Sequence, residues 1–441
     1  MYISRYKVLG LLGRGGMGRV YKVLRPELNK ILALKLLRPD EVLESLLGRE
    51  EIERRFRIEA RIMGEMEQVN IASAWDVGEH EGEPFLVLEY TCMNLGLLIG
   101  ESAVVEEPTR PLPPERALDF LEQALFGLAR LHREGIVHLD LKPANLLLTR
   151  REEIKLIDFG LSKLPGLPLN PPKGIMVGSP YYASPEQEAD PDAAEERADL
   201  YSAGVVLYRL VTGALPQGDP DVSDHSLLGP EWTDFFRRAL CRDPGRRFTS
   251  AWDMLEAVAD LRRQWEGRRE ATCPAGSLQG PGEVAEAMAK PRAEPIKTGA
   301  VREDRPFPGL TPLFQPERTF PGDFWKVEDG FLDRASGLVW AYGISAFPSS
   351  WDSCGDHLPP LQGPRAWRLP TVEELVSLLR PKRVLEDFCA PDLWRAENRK
   401  WIWSADLRTA SQAWLVDLEQ GAVLAADRTC LFHVLAVRET G

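Results

Sequence analysis

Several absences narrow the classes to which this chain of 441 residues can belong. It contains no run of about 18 apolar residues, so no transmembrane helix is predicted, and the N-terminal MYISRYKVLG lacks the apolar stretch of a signal peptide. The six cysteines form no CxxC pair, which excludes the common zinc-site spacing and predicts free thiols in a reducing cytoplasm. Basic residues are in the minority, and the net charge of −13 argues against a nucleic-acid partner and against general binding to anionic membranes.

What the chain does contain divides it into three parts. Residues 1–265 alternate the short apolar runs of strands with the spacing of amphipathic helices. Residues 266–320 are rich in proline and glycine, bury too little apolar surface to offset their chain entropy, and are predicted to form a linker. Residues 321–441 hold eight of the twelve tryptophans, in short strands with one clear helix, PTVEELVSLLR. The pattern predicts an α+β fold class.

A glycine-rich pattern opens the first part. It reads Gly13-x-Gly15-x-x-Gly18-x-Val20, and glycines at this spacing let backbone N–H groups approach a polyphosphate. The motif alone is weak, because a plain hairpin explains it equally well. The strand LALKLL follows, in which Lys35 could either meet a phosphate or lie exposed at a sheet edge.

Four further motifs come after this strand. The amphipathic helix RRFRIEARIMGEM carries Glu59, and the strand FLVLEY follows it. The loop HLDLKPANLL supplies Asp140, Lys142 and Asn145, and the triplet DFG begins at Asp158. Each piece alone could be a turn, a cap or a surface ion pair. Their joint occurrence in this order, each on the expected strand or loop, makes that interpretation implausible.

Together these motifs resemble those of eukaryotic-like (Hanks-type) Ser/Thr protein kinases. The glycine loop GRGGMGRVYKV and the helix LYSAGVVLYRLVTG are similar to the bacterial branch in particular, and the resemblance covers residues 6–262. It implies a two-lobed protein kinase fold, with a small lobe of residues 1–91 and a large lobe of residues 92–265. ATP and Mg²⁺ would lie between the lobes, and the γ-phosphate would pass to a Ser or Thr hydroxyl of a protein substrate.

The resemblance also implies a role for each motif residue. Asp140 would orient the acceptor hydroxyl and take its proton, Lys142 would neutralise the γ-phosphate, and Asn145 and Asp158 would bind Mg²⁺. The nucleotide-binding residues that it implies are Gly13, Gly15, Gly18, Val20, Ala33, Lys35, Glu59, Glu89 and Thr91.

Three further residues have implied structural roles. Glu186, near the end of the activation segment GSPYYASPEQ, would form a buried ion pair with Arg247. Asp199 would brace the catalytic loop from below. All three would tie catalytic elements to the large lobe.

The sequence departs from the family in its catalytic loop, where residues 138–140 read His-Leu-Asp instead of His-Arg-Asp. The arginine of the family binds a phosphate on the activation loop, which Leu139 cannot do. The acceptor for such a phosphate is missing as well. The only hydroxyls in residues 161–179 are Ser162, too close to the DFG triplet, and Ser179, at the substrate-facing end. We therefore expect an active kinase that activation-loop phosphorylation does not control.

Two other functions stay open at this point. A nucleotide-binding pseudokinase scaffold could signal through the C-terminal domain, although the intact phosphate-handling residues argue against it. A kinase of a small metabolite is also permitted, because residues 213–243 are shorter than the family usually has and leave less of the region that docks proteins.

The C-terminal part, residues 321–441, resembles bacterial domains of C-type-lectin-like fold, which are related to formylglycine-generating enzymes. The resemblance depends on DGFLDRASGLVWAYG, the helix after RLPT and the closing HVLAVRET. The thiol chemistry of the enzymatic relatives is not carried over, because the cysteines here form no local pair. We expect a mixed α+β module that binds or senses an unknown ligand or protein.

The tryptophans of this part have two interpretations. Trp340, Trp367 and Trp414 are expected in the core, where such large side chains usually lie. Trp401 and Trp403, in KWIWSAD, share one face of a strand and either pack in the core or line a recognition surface.

Overall fold

The fold is known from a computed structural model. The residues it describes are 1–15, 17–165, 178–223, 225, 228–272, 295–296, 307, 310, 324–334, 336–359, 366–381, 388–389 and 400–440. Their contacts divide the chain into two compact units, Met1–Cys273 and Pro274–Gly441. None of the helices among these residues is long and apolar enough to span a membrane.

The first unit begins with a six-stranded antiparallel sheet in the order β1-β2-β3-β4-β6-β5. Its strands are β1 (Tyr2–Ile3), β2 (Tyr6–Gly15), β3 (Gly18–Arg25), β4 (Lys30–Leu37), β5 (Ala74–His80) and β6 (Glu83–Glu89). Side chains alternate along β4, so Leu34 and Leu36 enter a core with Tyr6 and Phe85. Lys35 therefore points to the opposite face of the sheet.

Two helices interrupt this sheet, α1 (Glu41–Leu47) and α2 (Arg49–Glu65). The buried face of α2 contains Ile52, Phe56 and Met63 at helical spacing, and Glu59 lies on that same face. Glu59 is 1% exposed, so the helix presents it to the protein and not to solvent.

The rest of the first unit is mostly helical. Its elements are β7 (Met93–Asn94), α3 (Leu95–Ile99), α4 (Pro114–Arg133), β8 (Leu146–Leu148), β9 (Ile154–Leu156), α5 (Pro185–Ala189), α6 (Glu196–Thr212), α7 (Pro230–Ala239) and α8 (Ala251–Thr272). The loop at 138–145 leads directly into β8, the middle strand of the short sheet β7-β8-β9. The described residues from 214 to 229, in the region that the sequence indicates to be short, form no helix.

The second unit is rich in sheet. Its elements are β10 (Phe324–Val327), β11 (Gly330–Asp333), β12 (Leu338–Ala341), α9 (Val372–Ser377), β13 (Arg380–Pro381), β14 (Phe388–Cys389), β15 (Trp401–Leu407), β16 (Gln412–Asp417), β17 (Ala422–Asp427) and β18 (Val437–Glu439). One sheet has the order β10-β11-β12-β18 and another the order β15-β16-β17. The helix predicted in PTVEELVSLLR is present as α9, over Val372–Ser377, and it begins with a capping box between Thr371 and Glu374.

The tryptophans of the second unit are mainly core residues. Trp340, Trp367 and Trp414 belong to its buried apolar cluster, which confirms the first expectation. Trp401 and Trp403 are 5% and 0% exposed, so these two also pack in the core and do not line a recognition surface.

Two predictions need correction. The segment 266–320 is not all linker, because α8 continues to Thr272 and because Ile296, Phe307 and Leu310 pack in the core of the second unit. Isolated apolar residues among prolines have no periodicity from which such packing could be predicted. The rest of that segment, 273–294, 297–306, 308–309 and 311–320, lies outside the described residues.

The second correction concerns the cysteines. Cys92 and Cys430 are disulfide-bonded, so the prediction of free thiols is wrong for both of them. Cys241 and Cys354 are free, as predicted. Disulfides depend on which sulfur atoms the fold brings within bonding distance, and the spacing of cysteines along this chain gives no sign of that.

Candidate active site

The first cluster of site residues surrounds Lys35. Its ammonium group donates to both carboxylate oxygens of Glu59, at 2.8 and 2.7 Å, and to Oδ1 of Asp158 at 3.0 Å. Burial alone would lower the pKa of Lys35, but Asp158 and Glu59 raise it above its usual value. Lys35 in turn holds the pKa of Asp158 below the usual range of a carboxyl group. The lysine is therefore a fixed positive charge.

The glycine-rich hairpin lies beside this cluster. β2 and β3 pair Gly13 with Val20 and Gly15 with Gly18, and Val20 pairs in turn with Lys35 on β4. A Cβ atom at Gly18 would lie 2.2 Å from a carbonyl oxygen of β4, so glycine is required there for packing. A Cβ at Gly13 or Gly15 would meet nothing within 4 Å, so contacts within the protein do not explain these two glycines.

The chain that follows β6 was predicted to hold the nucleotide through Glu89 and Thr91. Ala33 pairs across β4 and β6 with Leu88, directly before Glu89. The Glu89 carboxylate lies 3.2 Å from Lys155, and Thr91 Oγ1 donates to Met93 O at 3.1 Å. Both side chains thus fix the local chain.

The second cluster surrounds Asp140. Lys142 Nζ lies 2.9 Å from Asp140 Oδ2, and Asn145 Nδ2 donates to the same oxygen at 2.9 Å. Ser179 Oγ donates to Asp140 Oδ1 at 2.7 Å and accepts from Lys142 Nζ at 2.6 Å. Ile157 N donates to Asn145 O at 3.1 Å, which brings Asp158 next to this loop. The two clusters are therefore neighbours.

Asp199 holds the catalytic loop from below, where the sequence predicts it. Its carboxylate accepts hydrogen bonds from the backbone N–H groups of His138 and Leu139, both at 2.8 Å, and pairs with His132 Nε2 at 2.8 Å. Burial alone would raise the pKa of Asp199, but the contact with His132 lowers it below its usual value. His132 was not recognised in the sequence as a member of this group, because a histidine in a helix gives no sign of its distant partner.

Leu139 occupies an apolar environment. It is 1% exposed and packs in a cluster with Val137, Ala194 and Ala198, against which Leu161 also packs. Its φ angle of 62° lies in the left-handed region, which the two hydrogen bonds to Asp199 help to hold.

The predicted ion pair of Glu186 and Arg247 is present. The Arg247 guanidinium is fully buried and donates to both Glu186 carboxylate oxygens, at 2.7 and 2.8 Å. The arginine lies just before α8 and Glu186 lies in α5, so the pair joins the segment after Ser179 to the helical region.

Comparisons with known proteins agree with this geometry. A family model described as the protein kinase domain matches residues 6–259, which is more than half of the chain. The Ser/Thr-protein kinase PksC of Streptomyces coelicolor is 31% identical over 344 residues, covering 71% of this chain and 60% of PksC. The Ser/Thr-protein kinase pkn2 of Myxococcus xanthus is 34% identical over 280 residues, covering 58% of this chain and 32% of pkn2.

Two further matches cover the separate units. A crystal structure of the Mycobacterium tuberculosis PknI kinase domain aligns with 59% of this chain and 98% of its own, with 24% identity and a TM-score of 0.46. The C-terminal unit is similar to the Lcl C-terminal domain over residues 330–438. This chain spans less than two thirds of the length of PksC and of pkn2. On the match over residues 6–259, the chain belongs to the protein kinase family.

Proposed function

We propose that this chain is an ATP- and Mg²⁺-dependent protein Ser/Thr kinase. The observation that carries the proposal is the pairing of Lys35 with Glu59 and Asp158, next to a hydroxyl group held between Asp140 and Lys142. This arrangement provides a fixed cation for a nucleotide phosphate, a base for an acceptor hydroxyl and a second cation for the transferred group. A pseudokinase scaffold would not require all three.

Phosphoryl transfer needs mainly positioning and charge neutralisation, since its transition state is loose. An acceptor hydroxyl in the place of Ser179 Oγ would lie against the Asp140 carboxylate, which would take its proton. The acceptor oxygen then bonds to the γ-phosphorus as the bond to the β–γ bridging oxygen breaks, which releases ADP. Lys142, within reach of the same hydroxyl, would neutralise charge on the group in transfer.

A divalent cation fits the oxygen atoms beside this loop. Asn145 uses its Nδ2 to donate to Asp140, so the side-chain oxygen Oδ1 of Asn145 remains as a ligand. The Asp158 side chain is 43% exposed and can also reach an ion. Mg²⁺ is usually held by one or two protein carboxylates or amides together with substrate phosphates. Asn145 and Asp158 would therefore hold the ion, which would supply further neutralisation of the phosphate charge.

We propose in addition that activation-loop phosphorylation does not control this kinase. The place of the phosphate-binding arginine is taken by Leu139, which is buried among apolar side chains. Ser162, one of the two hydroxyls identified in residues 161–179, is 7% exposed and donates to His138 O at 3.2 Å. The other, Ser179, is engaged with Asp140.

The second unit is proposed to be a binding or sensing module of C-type-lectin-like fold. Its separate core and its similarity to the Lcl C-terminal domain support a module with its own ligand, which is either a small molecule or a protein. A cytoplasmic location stays a prediction, and the disulfides of Cys92 and Cys430 weigh against the reducing compartment on which it was based.

The first experiment measures transfer of labelled phosphate from ATP with Mg²⁺ to the protein itself and to histone. We expect transfer by the wild type and a loss of at least about a hundredfold in Asp140→Asn, because a positioned general base contributes on that order. Binding of ATP without transfer by the wild type would instead support the scaffold. Phosphorylation of an added metabolite but not of histone would support the small-molecule kinase.

A further inference from the structure

The chain between α3 and α4, residues 100–113, is fixed to the end of α6 although it contains no helix or strand of its own. Thr109 N donates to Gly213 O at 2.7 Å, and Leu112 N donates to Leu210 O at 2.6 Å. Gly213 has φ +73°, and a Cβ there would lie 2.3 Å from Thr109 O, so glycine is required for this approach. The connecting segment 100–113 is thus held against the end of α6 by specific backbone contacts.

Arg209, on α6, anchors the connecting segment from inside the protein. Its side chain is fully buried, and Nη2 donates to Val105 O at 2.8 Å and to Glu107 O at 3.0 Å. Its Nε lies 3.2 Å from Oε1 of Glu101, whose side chain is only 10% exposed. Because an uncompensated charge inside a protein is strongly destabilising, the pairing with Arg209 holds the Glu101 side chain in place.

Glu101 in turn holds the turn that carries Ser179. The hydroxyl group of Tyr182, a residue that is 3% exposed, donates to Glu101 Oε1 at 2.5 Å. Tyr182 N and Ala183 N both donate to Ser179 O, at 3.2 and 3.1 Å, so residues 179–183 form one turn. A shift of Tyr182 would therefore move the hydroxyl that lies against the catalytic base.

The neighbouring tyrosine makes a parallel contact. The hydroxyl group of Tyr181 donates to Glu106, which also lies in the connecting segment. Tyr181 is 46% exposed, so this second contact lies at the rim of the acceptor region while the contact of Tyr182 lies beneath it. Two consecutive residues of the turn are thus held by one segment.

We propose that Glu101 is a positioning residue for the protein acceptor, acting through Tyr182 on the turn at 179–183. The proposal depends on the kinase function proposed above. None of the described contacts of Glu101 involves Lys35 or Asp158, so the residue affects binding of the acceptor and not of ATP. The connecting segment supports this turn together with α6, from which Ser202 Oγ donates to Tyr182 O at 2.8 Å.

The test compares steady-state phosphorylation of histone by the full chain and by Glu101→Gln, Tyr182→Phe and the double variant. Each single variant should raise KM for histone roughly tenfold, the effect of losing one hydrogen bond to a charged group. KM for ATP and histone-independent ATP hydrolysis should stay within about twofold of the wild type. The double variant should raise KM for histone about as much as the larger single effect, because Tyr182→Phe removes a hydroxyl whose bond to the Glu101 charge is already weakened in Glu101→Gln.

Controls separate positioning from a loss of folding. Glu107→Gln makes the same chemical change in the same segment, but at a carboxylate that accepts from Ser102, and should leave all constants unchanged. Glu101→Asp keeps the charge and should recover part of the KM. Unchanged KM for histone in Tyr182→Phe, or equal losses for histone and ATP, would overturn the proposal. A wild type without transfer to histone would instead overturn the proposed kinase function.

Discussion

Replacement of Leu139 by arginine tests whether this kinase has lost the switch that depends on phosphate. If the space around residue 139 still fits a guanidinium group, Leu139→Arg restores the ordinary His-Arg-Asp triplet of the family with little loss of stability. The structure predicts the opposite, because Leu139 is 1% exposed and packs with Val137, Ala194 and Ala198. Arginine there would either bury its charge without a partner or displace these neighbours.

The magnitude follows from the packing. Loss of a buried leucine side chain costs about 2–5 kcal/mol when the space is not refilled, and an unpaired buried charge also costs several kcal/mol. Since the long arginine stem can replace some apolar contacts, we take about 3 kcal/mol as the net loss. In a domain of this size each kcal/mol lowers Tm by roughly 2–4 °C, so Tm should fall by roughly 6–12 °C.

The assay uses the full chain but measures a property of the first unit only. It records the temperature at which ATP hydrolysis is half lost, beside the thermal unfolding curve, because the chain has two compact units and multi-domain proteins commonly do not unfold in one step. Leu139→Met is the matched control and should cost under about 1.5 kcal/mol, since it conserves volume and polarity. A Leu139→Arg enzyme that keeps the wild-type Tm would refute the reasoning.

Three further predictions concern residues of the same unit. Glu59→Gln removes the charge that holds Lys35 and should lower kcat/KM for ATP about tenfold or more in steady-state kinetics; an unchanged value would contradict the role of the pair. Gly18→Ala should lower Tm measurably, because its Cβ would lie 2.2 Å from a backbone oxygen, while Gly13→Ala should leave Tm unchanged and raise only KM for ATP. Arg247→Ala leaves a carboxylate without its partner and should destabilise the unit by about 3–5 kcal/mol in denaturant unfolding, and a loss under about 1 kcal/mol would contradict the burial argument.

The residues proposed to bind phosphate could be singled out because each lies in a short element whose local sequence is distinctive. Lys35 alternates with buried leucines on β4, and Glu59 lies three residues after Phe56 and four before Met63 on α2. The loop from Asp140 to Asn145 carries its polar residues at a spacing that the family shares. The family resemblance therefore selected these residues, and the periodicity of β4 and α2 is consistent with the faces on which Lys35 and Glu59 lie.

The support around those residues could not be predicted in the same way. Tyr182 and Glu101 are 81 positions apart, and only the closure of the connecting segment over α6 brings their side chains together. Arg209 lies in the helix LYSAGVVLYRLVTG and reads as an ordinary helix residue, although it is fully buried. An arginine within an apolar helix run indicates that Arg209 has a buried polar partner, but the run does not show which residue that partner is.

The tryptophans of β15 show that strand periodicity predicts which face a side chain lies on, but not whether that face is covered. Alternation correctly placed Trp401 and Trp403 on one face, but Ile402, on the other face, is buried as well. Phe432 packs edge-on against both tryptophans, with ring centroids 5.5 and 4.9 Å apart. A strand covered on both sides has no exposed face to recognise a ligand. A binding surface of the second unit must then use other side chains, and its exposed aromatic residues among those described are Trp325, Tyr342 and Phe347.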